Sequence, residues 1–470
     1  MTVVERAPAP DLAAALAPLA VEAAAKEEAT LVSATVPVPA VDPVALHGLA
    51  RPLGAALWMQ PQAGISHVGI GEAWAARQSH EARFGVISVA WHMLLQSAVV
   101  DTGDAPRGTG PLLLGGFGYD DEPAESEVWE GFEAGCLVLP ALLLSTTPRG
   151  SWLTASMVLD PDGVPPSTMI GSLDQTWAFL SEAPVLPSGP PRQSLVVRRR
   201  MPDAKAWQGS VARLAGAVGR GRLDKAVLSR SVTLEAASEI DLTGVMRRLE
   251  TSAPESTVFA FSRGPRTFVG ATPERLVSLQ GRELRTVAMA GSAPRSADPT
   301  EDEALAEQLL ASDKEREEHA VVVDMLRGSL APVAQELTIG RTPEVARFRH
   351  VQHLVTPVSG RLSDDADVLT LVERLHPTPA VGGTPKDLAL ELISEEEPHE
   401  RGWYAGPVGW IDRHGDGEFV VALRSGVIHG ATATLFAGCG IVADSDPERE
   451  WDESSAKLQA LGSALGRFEP

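Results

Sequence analysis

Four glutamates occur in two pairs whose spacing suits metal binding. Glu315 and Glu318 form the first pair, and Glu450 and Glu453 form the second, with Lys457 four residues further on. Residues three or four apart in a helix project from the same face. Two helices that each present paired carboxylates can build an all-oxygen site for Mg²⁺. A solvated helix face with local ion pairs explains the same spacing, so spacing alone leaves both interpretations open.

A second group of candidates could supply acid–base chemistry or hold an anion. Lys225 begins an apolar run, and partial burial there would help a lysine to act as a base. A lysine that reaches solvent from the end of a strand has the same sequence pattern. Glu274 lies in a Thr-Pro-Glu-Arg turn, where a carboxylate taken alone would be exposed. The Gly-Cys-Gly segment 438–440 precedes a predicted helix. Its backbone N–H groups could hold a carboxylate or phosphate, but a tight turn also needs glycine.

These candidates lie on predicted helices and strands. Helical spacing of apolar residues predicts one long helix over residues 298–330, and Asp446 followed by proline predicts the start of another. Residues 225–234 read as a strand, and an Asp-Gly signal at 415–417 predicts a hairpin. The apolar run 85–95 is also predicted as a strand. Many antiparallel strands with peripheral helices indicate the α+β class.

The chain is expected to form one domain behind a short tail. Residues 1–30 are Ala-rich and are interpreted as a mobile tail. The domain covers 31–470, with an N-terminal half over 31–190 and a half carrying the catalytic motifs over 200–465. A Pro-rich connection over 184–193 joins the two halves.

The net charge limits the classes of partner. The 470 residues carry a formal charge of −22, which argues against a general nucleic-acid binder and against docking on anionic membranes. Residues 298–327 hold ten acidic and three basic residues, and residues 444–457 hold six acidic and two basic residues. These two segments therefore supply half of the excess negative charge of the chain. A small anionic substrate would therefore need local cations or a metal. A further acidic run, Glu395–Glu397, is predicted as exposed loop.

Cysteine usage and hydropathy indicate the compartment. Cys136 and Cys439 are the only cysteines, too few for a disulfide framework, which favours a reducing cytoplasm. No apolar run approaches the roughly 18 residues needed to span a bilayer. The first residues lack the basic and apolar regions of a signal peptide. We therefore expect a cytoplasmic protein.

Seven segments resemble, in order, the motifs of the chorismate-utilising enzymes. The resemblance is strongest over about residues 200–465. It implies large antiparallel sheets packed face to face with helices outside, and an active site in a cleft near a sheet edge. It also implies chorismate as substrate, Mg²⁺ as cofactor and no obligatory protein partner. The segments are 225–230 (KAVLSR), 270–276 (GATPERL), 290–292 (AGS), 314–319 (KEREEH), 376–383 (HPTPAVGG), 401–407 (RGWYAGP) and 438–457.

The resemblance assigns a role to each matching residue. Lys225 matches the general base that activates water for attack at C2 of chorismate, and Glu274 matches the general acid that protonates the departing C4 hydroxyl. Glu318 and Glu453 match the Mg²⁺ ligands, and the metal in turn binds the ring carboxylate. The other matches are Glu315 and Glu450 beside the metal, Tyr404, Arg424 and Gly438 at the enolpyruvyl carboxylate, and Gly291, Ser292, His353, Ala380 and Lys457 along the cleft.

Three positions resemble the isochorismate-forming branch of this family. The aminating branch typically has glutamine where this chain has Lys225. The salicylate-forming branch, which also eliminates pyruvate, typically has threonine at the position of Ala380. Aminodeoxychorismate-forming relatives place a nucleophilic lysine at the position of Ala290. The resemblance therefore implies an isomerase that uses water as nucleophile.

Two departures and two alternatives accompany this interpretation. Ser292 stands where threonine is more usual and keeps the hydroxyl. Cys439 replaces a small residue, and inert packing of its thiol is favoured over oxidant sensitivity. Salicylate synthesis and a non-catalytic chorismate-binding subunit stay open as alternative functions. Menaquinone, catecholate siderophores and salicylate are all possible fates of the product, and the long N-terminal half favours the menaquinone type.

Overall fold

The computed structural model describes residues 10–182, 193–347 and 351–468. Most of the predicted Pro-rich connection lies outside these residues. Twenty-four strands occur within them: β1 (Thr30–Val38), β2 (Ala55–Gln60), β3 (Ile65–Ile70), β4 (Trp74–Gln78), β5 (Val99–Asp101), β6 (Leu112–Phe117), β7 (Gly135–Leu139), β8 (Leu142–Thr147), β9 (Gly150–Leu159), β10 (Gln193–Met201), β11 (Lys225–Ala236), β12 (Thr257–Arg263), β13 (Arg266–Thr272), β14 (Arg275–Gln280), β15 (Glu283–Pro294), β16 (Ala334–Ile339), β17 (Glu344–Arg347), β18 (Val351–Leu362), β19 (Gly383–Thr384), β20 (Pro407–Asp412), β21 (Gly417–Val421), β22 (Ser425–His429), β23 (Thr432–Ile441) and β24 (Gly466–Arg467).

Eleven α-helices accompany these strands in the described residues. They are α1 (Leu12–Ala24), α2 (Pro43–Ala50), α3 (Arg83–Gln96), α4 (Pro166–Glu182), α5 (Ala204–Gly219), α6 (Leu242–Ser252), α7 (Pro299–Ala311), α8 (Asp313–Leu330), α9 (Val368–Leu375), α10 (Lys386–Glu396) and α11 (Pro447–Leu465). No helix of the described chain is both long and apolar enough to cross a bilayer.

The strands form two large, mainly antiparallel sheets. Sheet 1 has the order β24-β10-β11-β23-β22-β13-β12-β2-β3-β8-β9-β1-β5, with β19 added on β11. Sheet 2 has the order β16-β18-β15-β14-β21-β20-β6-β7-β4, with β17 added on β18. Strands from the two predicted halves pair directly in both sheets, β2 with β12 and β6 with β20. The halves of the chain therefore build both sheets together.

The two sheets pack face to face. The largest buried cluster takes Trp58 and Phe259 from sheet 1 and Leu114 and Phe419 from sheet 2. Trp58 meets Trp410 of sheet 2 edge to face, with ring centroids 6.3 Å apart. Apolar side chains on the opposite face of sheet 1 pack against α1, α2, α4, α6 and α11. This arrangement confirms the α+β class with helices outside the sheets.

Helix α1 differs from the predicted mobile tail. Leu12 and Leu16 of this helix are fully buried, and they pack in the cluster that covers sheet 1. Asp11 caps the helix by accepting a hydrogen bond from the Ala14 N–H. Four buried residues on one face of an otherwise Ala-rich helix are enough to attach it to the domain.

Two further predictions of secondary structure were wrong. The predicted long helix over 298–330 is two helices, because Ser312 has an extended backbone and its hydroxyl caps α8 at the Glu315 N–H. The run 85–95 is part of helix α3, not a strand. Its buried residues Phe84, Ile87 and Trp91 have helical spacing. The Asp-Gly hairpin was correct, since β20 and β21 pair across it.

Candidate active site

A cavity of about 500 Å³ lies where the two sheets meet helices α8 and α11. Thirteen of the fourteen residues predicted from the sequence line it. The exception is Glu450, which stands next to it. The thirteen are Lys225, Glu274, Gly291, Ser292, Glu315, Glu318, His353, Ala380, Tyr404, Arg424, Gly438, Glu453 and Lys457. The fold therefore gathers residues up to 232 positions apart in the sequence, while their chemical roles stay predictions.

Lys225 enters the cavity from the first position of β11. Its strand pairs with β23 so that Val227 lies opposite Gly440. The lysine side chain runs across Gly440: a Cβ built on that glycine would stand 2.3 Å from Lys225 Cε and 3.0 Å from Nζ. Real Cβ atoms do not approach other atoms this closely, so glycine is needed here for the lysine to take its position.

The carboxyl of Glu274 is buried near three positively charged side chains. It lies in the turn between β13 and β14, where its backbone N–H donates to Thr272 Oγ1 at 3.2 Å. Burial raises the pKa of its carboxyl, and the positive charges of Lys225, Lys457 and Arg424 oppose that shift without cancelling it. The carboxyl therefore keeps its proton to a higher pH than an exposed glutamate does.

Glu274 also borders a second cavity. This space, of about 400 Å³, adjoins the first and shares Pro273, Glu274 and Ala380 with it. Only the first cavity contains the lysine and the glutamates of α8 and α11. The candidate chemistry therefore belongs to the first cavity, with Glu274 in the shared wall.

A glycine bulge in β15 connects the sheet to α8. Gly291 has φ +77°, and the pairing of β15 with β18 shifts there so that Ser292 lies opposite His353. The Ser292 N–H donates to Glu315 Oε2 at 3.1 Å, and Ser292 Oγ lies 2.8 Å from His353 Nδ1. A Cβ on Gly291 would come within 3.1 Å of Glu315 Oε2. Burial lowers the pKa of His353, which favours its neutral form.

Helices α8 and α11 bring four glutamates to this end of the cavity. Donor atoms of Glu450, Glu453 and Cys439 lie within 4.8 Å of one another, and that group does not include Glu315 or Glu318. Burial and the neighbouring Glu453 raise the pKa of Glu450, and hydrogen bonds oppose them. Carboxylate oxygens suit a hard cation such as Mg²⁺ and the buried Cys439 thiol does not, so the four glutamates are the groups that could hold the predicted metal.

Lys457 links α11 to the Gly-Cys-Gly segment. Its ammonium donates to the Gly438 carbonyl at 2.9 Å and pairs with Glu453 Oε1 at 2.8 Å. Gly438 also leaves room for Tyr404, whose hydroxyl would be 3.3 Å from a Cβ at that position. Lys457 and Gly438 are therefore joined by a hydrogen bond, and together they form one polar wall of the cavity.

Arg424 enters the cavity from a strained backbone. Its φ of 50° lies in the left-handed region, which a residue other than glycine seldom adopts. Burial lowers the pKa of its guanidinium, while Glu255 and Glu274 raise it. Non-glycine residues in this region are concentrated at functional sites, where surrounding contacts hold them in place. Arg424 thus places a positively charged side chain in the cavity wall.

Arg401 was missed as a lining residue, although it lies in a predicted motif. Its guanidinium is buried and donates to the carbonyls of Val381 at 2.7 Å and Val227 at 2.6 Å. It also pairs with Glu397 at 2.5 Å, and Glu397 accepts from the Ser229 N–H at 2.6 Å. The prediction that the run 395–397 is exposed loop is therefore wrong, because Glu395 and Glu396 end helix α10 and the side chain of Glu397 is buried. Residues 397–401 lie beyond the end of α10 at Glu396, so helical spacing gave no signal for this pair.

Cys439 lies under α11, away from solvent. Its thiol is fully buried and lies 3.4 Å from the Glu450 carbonyl. Burial raises its pKa, so the thiol form is favoured. This environment agrees with the expectation of inert packing.

The chain resembles proteins of one family over nearly its whole length. A family model described as "chorismate binding enzyme" matches residues 18–466. Isochorismate synthase MenF of Bacillus subtilis is 34% identical over 418 residues, which is 87% of each chain. The salicylate biosynthesis isochorismate synthase of Pseudomonas aeruginosa is 34% identical over 446 residues, 94% of this chain and 92% of that one.

Solved structures give the same picture. MenF, the menaquinone-specific isochorismate synthase from Escherichia coli, superposes with a TM-score of 0.77 at 26% identity, over 97% of this chain and 100% of that one. Anthranilate synthase component I from Streptococcus pneumoniae superposes with a TM-score of 0.70 over 85% of this chain and 92% of that one. At 21% identity, that second likeness concerns the fold alone.

Proposed function

Because the chain belongs to the chorismate-binding enzyme family, we propose that it is an isomerase that converts chorismate to isochorismate. The names of its relatives support this reaction. The observation that carries the proposal is the pairing of Lys225 with Glu274 in one cavity, the glutamate having a raised pKa. The reaction moves a hydroxyl across an allylic system, so it needs a base and an acid at different ring positions.

The proposed steps balance without any co-reactant. The Lys225 amine takes a proton from a water molecule as its oxygen bonds to C2 of the ring. Both ring double bonds shift, from C1=C2 to C1=C6 and from C5=C6 to C4=C5, and the C4–O bond breaks. Glu274 gives its proton to the departing C4 hydroxyl, which leaves as water. One water enters and one leaves, and the protonated lysine and ionised glutamate return to their starting states by proton exchange with solvent.

Positive groups in the cavity would hold the dicarboxylate substrate. Arg424 and Lys457 line the cavity, and Tyr404 adds a hydroxyl. Glu318 and Glu453 would hold a Mg²⁺ ion, with Glu315 and Glu450 beside them. When bound, Mg²⁺ would supply the positive charge that neutralises the ring carboxylate. The acidity of the two helices then has a purpose, since it would attract the cation that allows an anionic substrate to bind.

One assay tests this function. The purified chain is incubated with chorismate and MgCl₂ and the products are separated by chromatography, with Lys225→Ala as the matched control. We expect isochorismate as the only new product, and none from the control. Salicylate with pyruvate would instead identify the salicylate-forming branch. No product at any enzyme concentration would indicate a chorismate-binding subunit and refute the proposal.

A further inference from the structure

Helix α11 must sit on sheet 1 in one orientation for its glutamates to face the cavity. Glu450, Glu453 and Lys457 all lie in its first three turns. A small rotation about the helix axis would turn the carboxylates away from α8. The groups that hold α11 on the sheet therefore decide whether the acidic site is formed.

Arg230 is the main polar contact between sheet 1 and this part of α11. It is fully buried on β11 and lies outside the cavity lining. Its Nε donates to Ser454 Oγ at 2.7 Å and its Nη2 to Ser455 Oγ at 2.6 Å. Its guanidinium carbon stands 3.8 Å from the ring centroid of Trp451. Arg230 thus contacts three residues that surround Glu453.

The serines are arranged to accept these hydrogen bonds. Ser454 and Ser455 both donate their hydroxyl protons to the Trp451 carbonyl at 2.8 Å. Their oxygen lone pairs are then left for the guanidinium of Arg230. Because an arginine fork has a fixed planar geometry, it specifies the angle between strand and helix better than a flexible ammonium does.

Arg230 carries a buried positive charge. No carboxylate of the described residues forms an ion pair with it, and its Nη1 has no hydrogen-bond partner among them. Burial lowers its pKa to about 10. A buried charge without a partner is unfavourable for stability. An apolar side chain would serve packing alone, so a buried guanidinium at this position points to a further role.

We propose that Arg230 is a positioning residue of the cation site. It sets the rotation of α11 so that Glu453 faces the cavity, with Glu450 beside it. This inference rests on the metal site included in the proposed function. Arg230 acts through α11 and touches neither substrate nor metal.

The test measures binding of Mn²⁺ alone, followed by the electron paramagnetic resonance signal of the unbound ion. Arg230→Lys should weaken Mn²⁺ binding by about tenfold, the low end of the loss that follows removal of a direct partner of a metal ligand, because Arg230 acts on Glu453 only through neighbouring residues of α11. The Ser454→Ala/Ser455→Ala double variant should have a similar effect. Combining both changes should add little, because they remove the same contact.

Arg248→Lys is the matched control. Arg248 Nε donates to the Ala464 carbonyl at 2.5 Å, so it holds the far end of the same helix. We expect this variant to bind Mn²⁺ within about twofold of the parent, since the effect of a distant site is independent. Steady-state kinetics add a second readout: at saturating Mg²⁺, Arg230→Lys should recover most of the parent kcat while its requirement for Mg²⁺ rises.

Three outcomes would overturn the inference. Parent-like Mn²⁺ affinity in Arg230→Lys would refute it, and so would an equal loss in Arg248→Lys. A parent chain whose Mn²⁺ binding is unchanged by Glu453→Gln would refute both the metal site and the role of Arg230. If Mn²⁺ binding follows the expected pattern but chorismate is not converted, the proposed reaction fails and the role of Arg230 stands.

Discussion

Gly440→Ala is the sharpest test of the position of Lys225. Gly440 lies within the regular strand β23, where an alanine backbone is permitted. The three atoms nearest to an added Cβ all belong to Lys225, the closest being Cε at 2.3 Å. Because these atoms are at the end of a flexible side chain, the lysine will move and the sheet will not. The methyl group therefore displaces the proposed base without touching any other group in the site.

The expected size of the effect follows from that distance. Ordinary contact begins at 3.4 Å, so Lys225 Cε must retreat by about 1 Å, a displacement that lowers rates by about 100-fold when it affects a reacting group. This corresponds to about 2.7 kcal/mol of transition-state stabilisation. Binding of chorismate should change little, because Arg424, Lys457 and the glutamates keep their positions.

Steady-state kinetics with chorismate and saturating Mg²⁺ provide the measurement. We expect kcat to fall about 100-fold with KM changed by less than about threefold, the pattern of an interaction made in the transition state. Gly328→Ala is the control, because Gly328 lies on α8 and an added Cβ there meets no described atom within 4 Å beyond the backbone of its own helix and its chain neighbours. The control should keep the parent kcat, and thermal unfolding should show that both variants are folded.

Two results would refute this reasoning. Gly440→Ala with nearly full kcat would show that the position of Lys225 over this glycine is not required. A Lys225→Ala/Gly440→Ala double variant much slower than Lys225→Ala alone would show that the methyl group acts through something else, since two changes at one group should not add.

Three further predictions concern the acid, the metal and the buried arginine. Glu274→Gln should lower kcat by about 10²- to 10⁴-fold by removing the proton donor, with KM retained. In the parent, kcat should fall as pH rises through the raised pKa of Glu274, because the acid then loses its proton. Since Lys457 lowers this pKa, Lys457→Met should move the fall in kcat to higher pH. A pH profile that does not move would contradict the role of Glu274 as the acid. Glu453→Gln should weaken Mn²⁺ binding in titration at least about tenfold, and unchanged binding would point to other ligands. Arg401→Met should lower the free energy of unfolding by about 3–5 kcal/mol in urea titration, because it leaves Glu397 buried without its cation, and a loss under about 1 kcal/mol would contradict that explanation.

Much of the site could be predicted because its signals are local or are carried by motifs. Glu315 and Glu318 share a helix face through the helical repeat alone, and the same holds for Glu450 and Glu453. The resemblance to the chorismate-utilising enzymes added the residues whose separate patterns were ambiguous, such as Glu274. The α+β class followed from turn signals and strand patterns of the same local kind.

The errors occurred where burial decides between local alternatives. The apolar run 85–95 was assigned to a strand because its residues suit either structure, and packing of Ile87 and Trp91 selects the helix. The Ala-rich tail has weak amphipathicity, yet Leu12 and Leu16 find a complementary surface on sheet 1. Glu397 looked exposed in a run of glutamates, and only folding brings Arg401 and the Ser229 N–H to it.

The sequence by itself determined the fold class, the family and the paired carboxylates, because helical periodicity and motif order are properties of neighbouring residues. The tertiary structure decided which of these groups share a cavity, how far Glu274 is desolvated, that Lys225 needs Gly440 beneath it, and that Arg230 holds α11. Each of these depends on atoms that are brought together across the sheets from distant parts of the chain. Distances and solvent access between such atoms exist only after the chain has folded, so no local pattern could have expressed them.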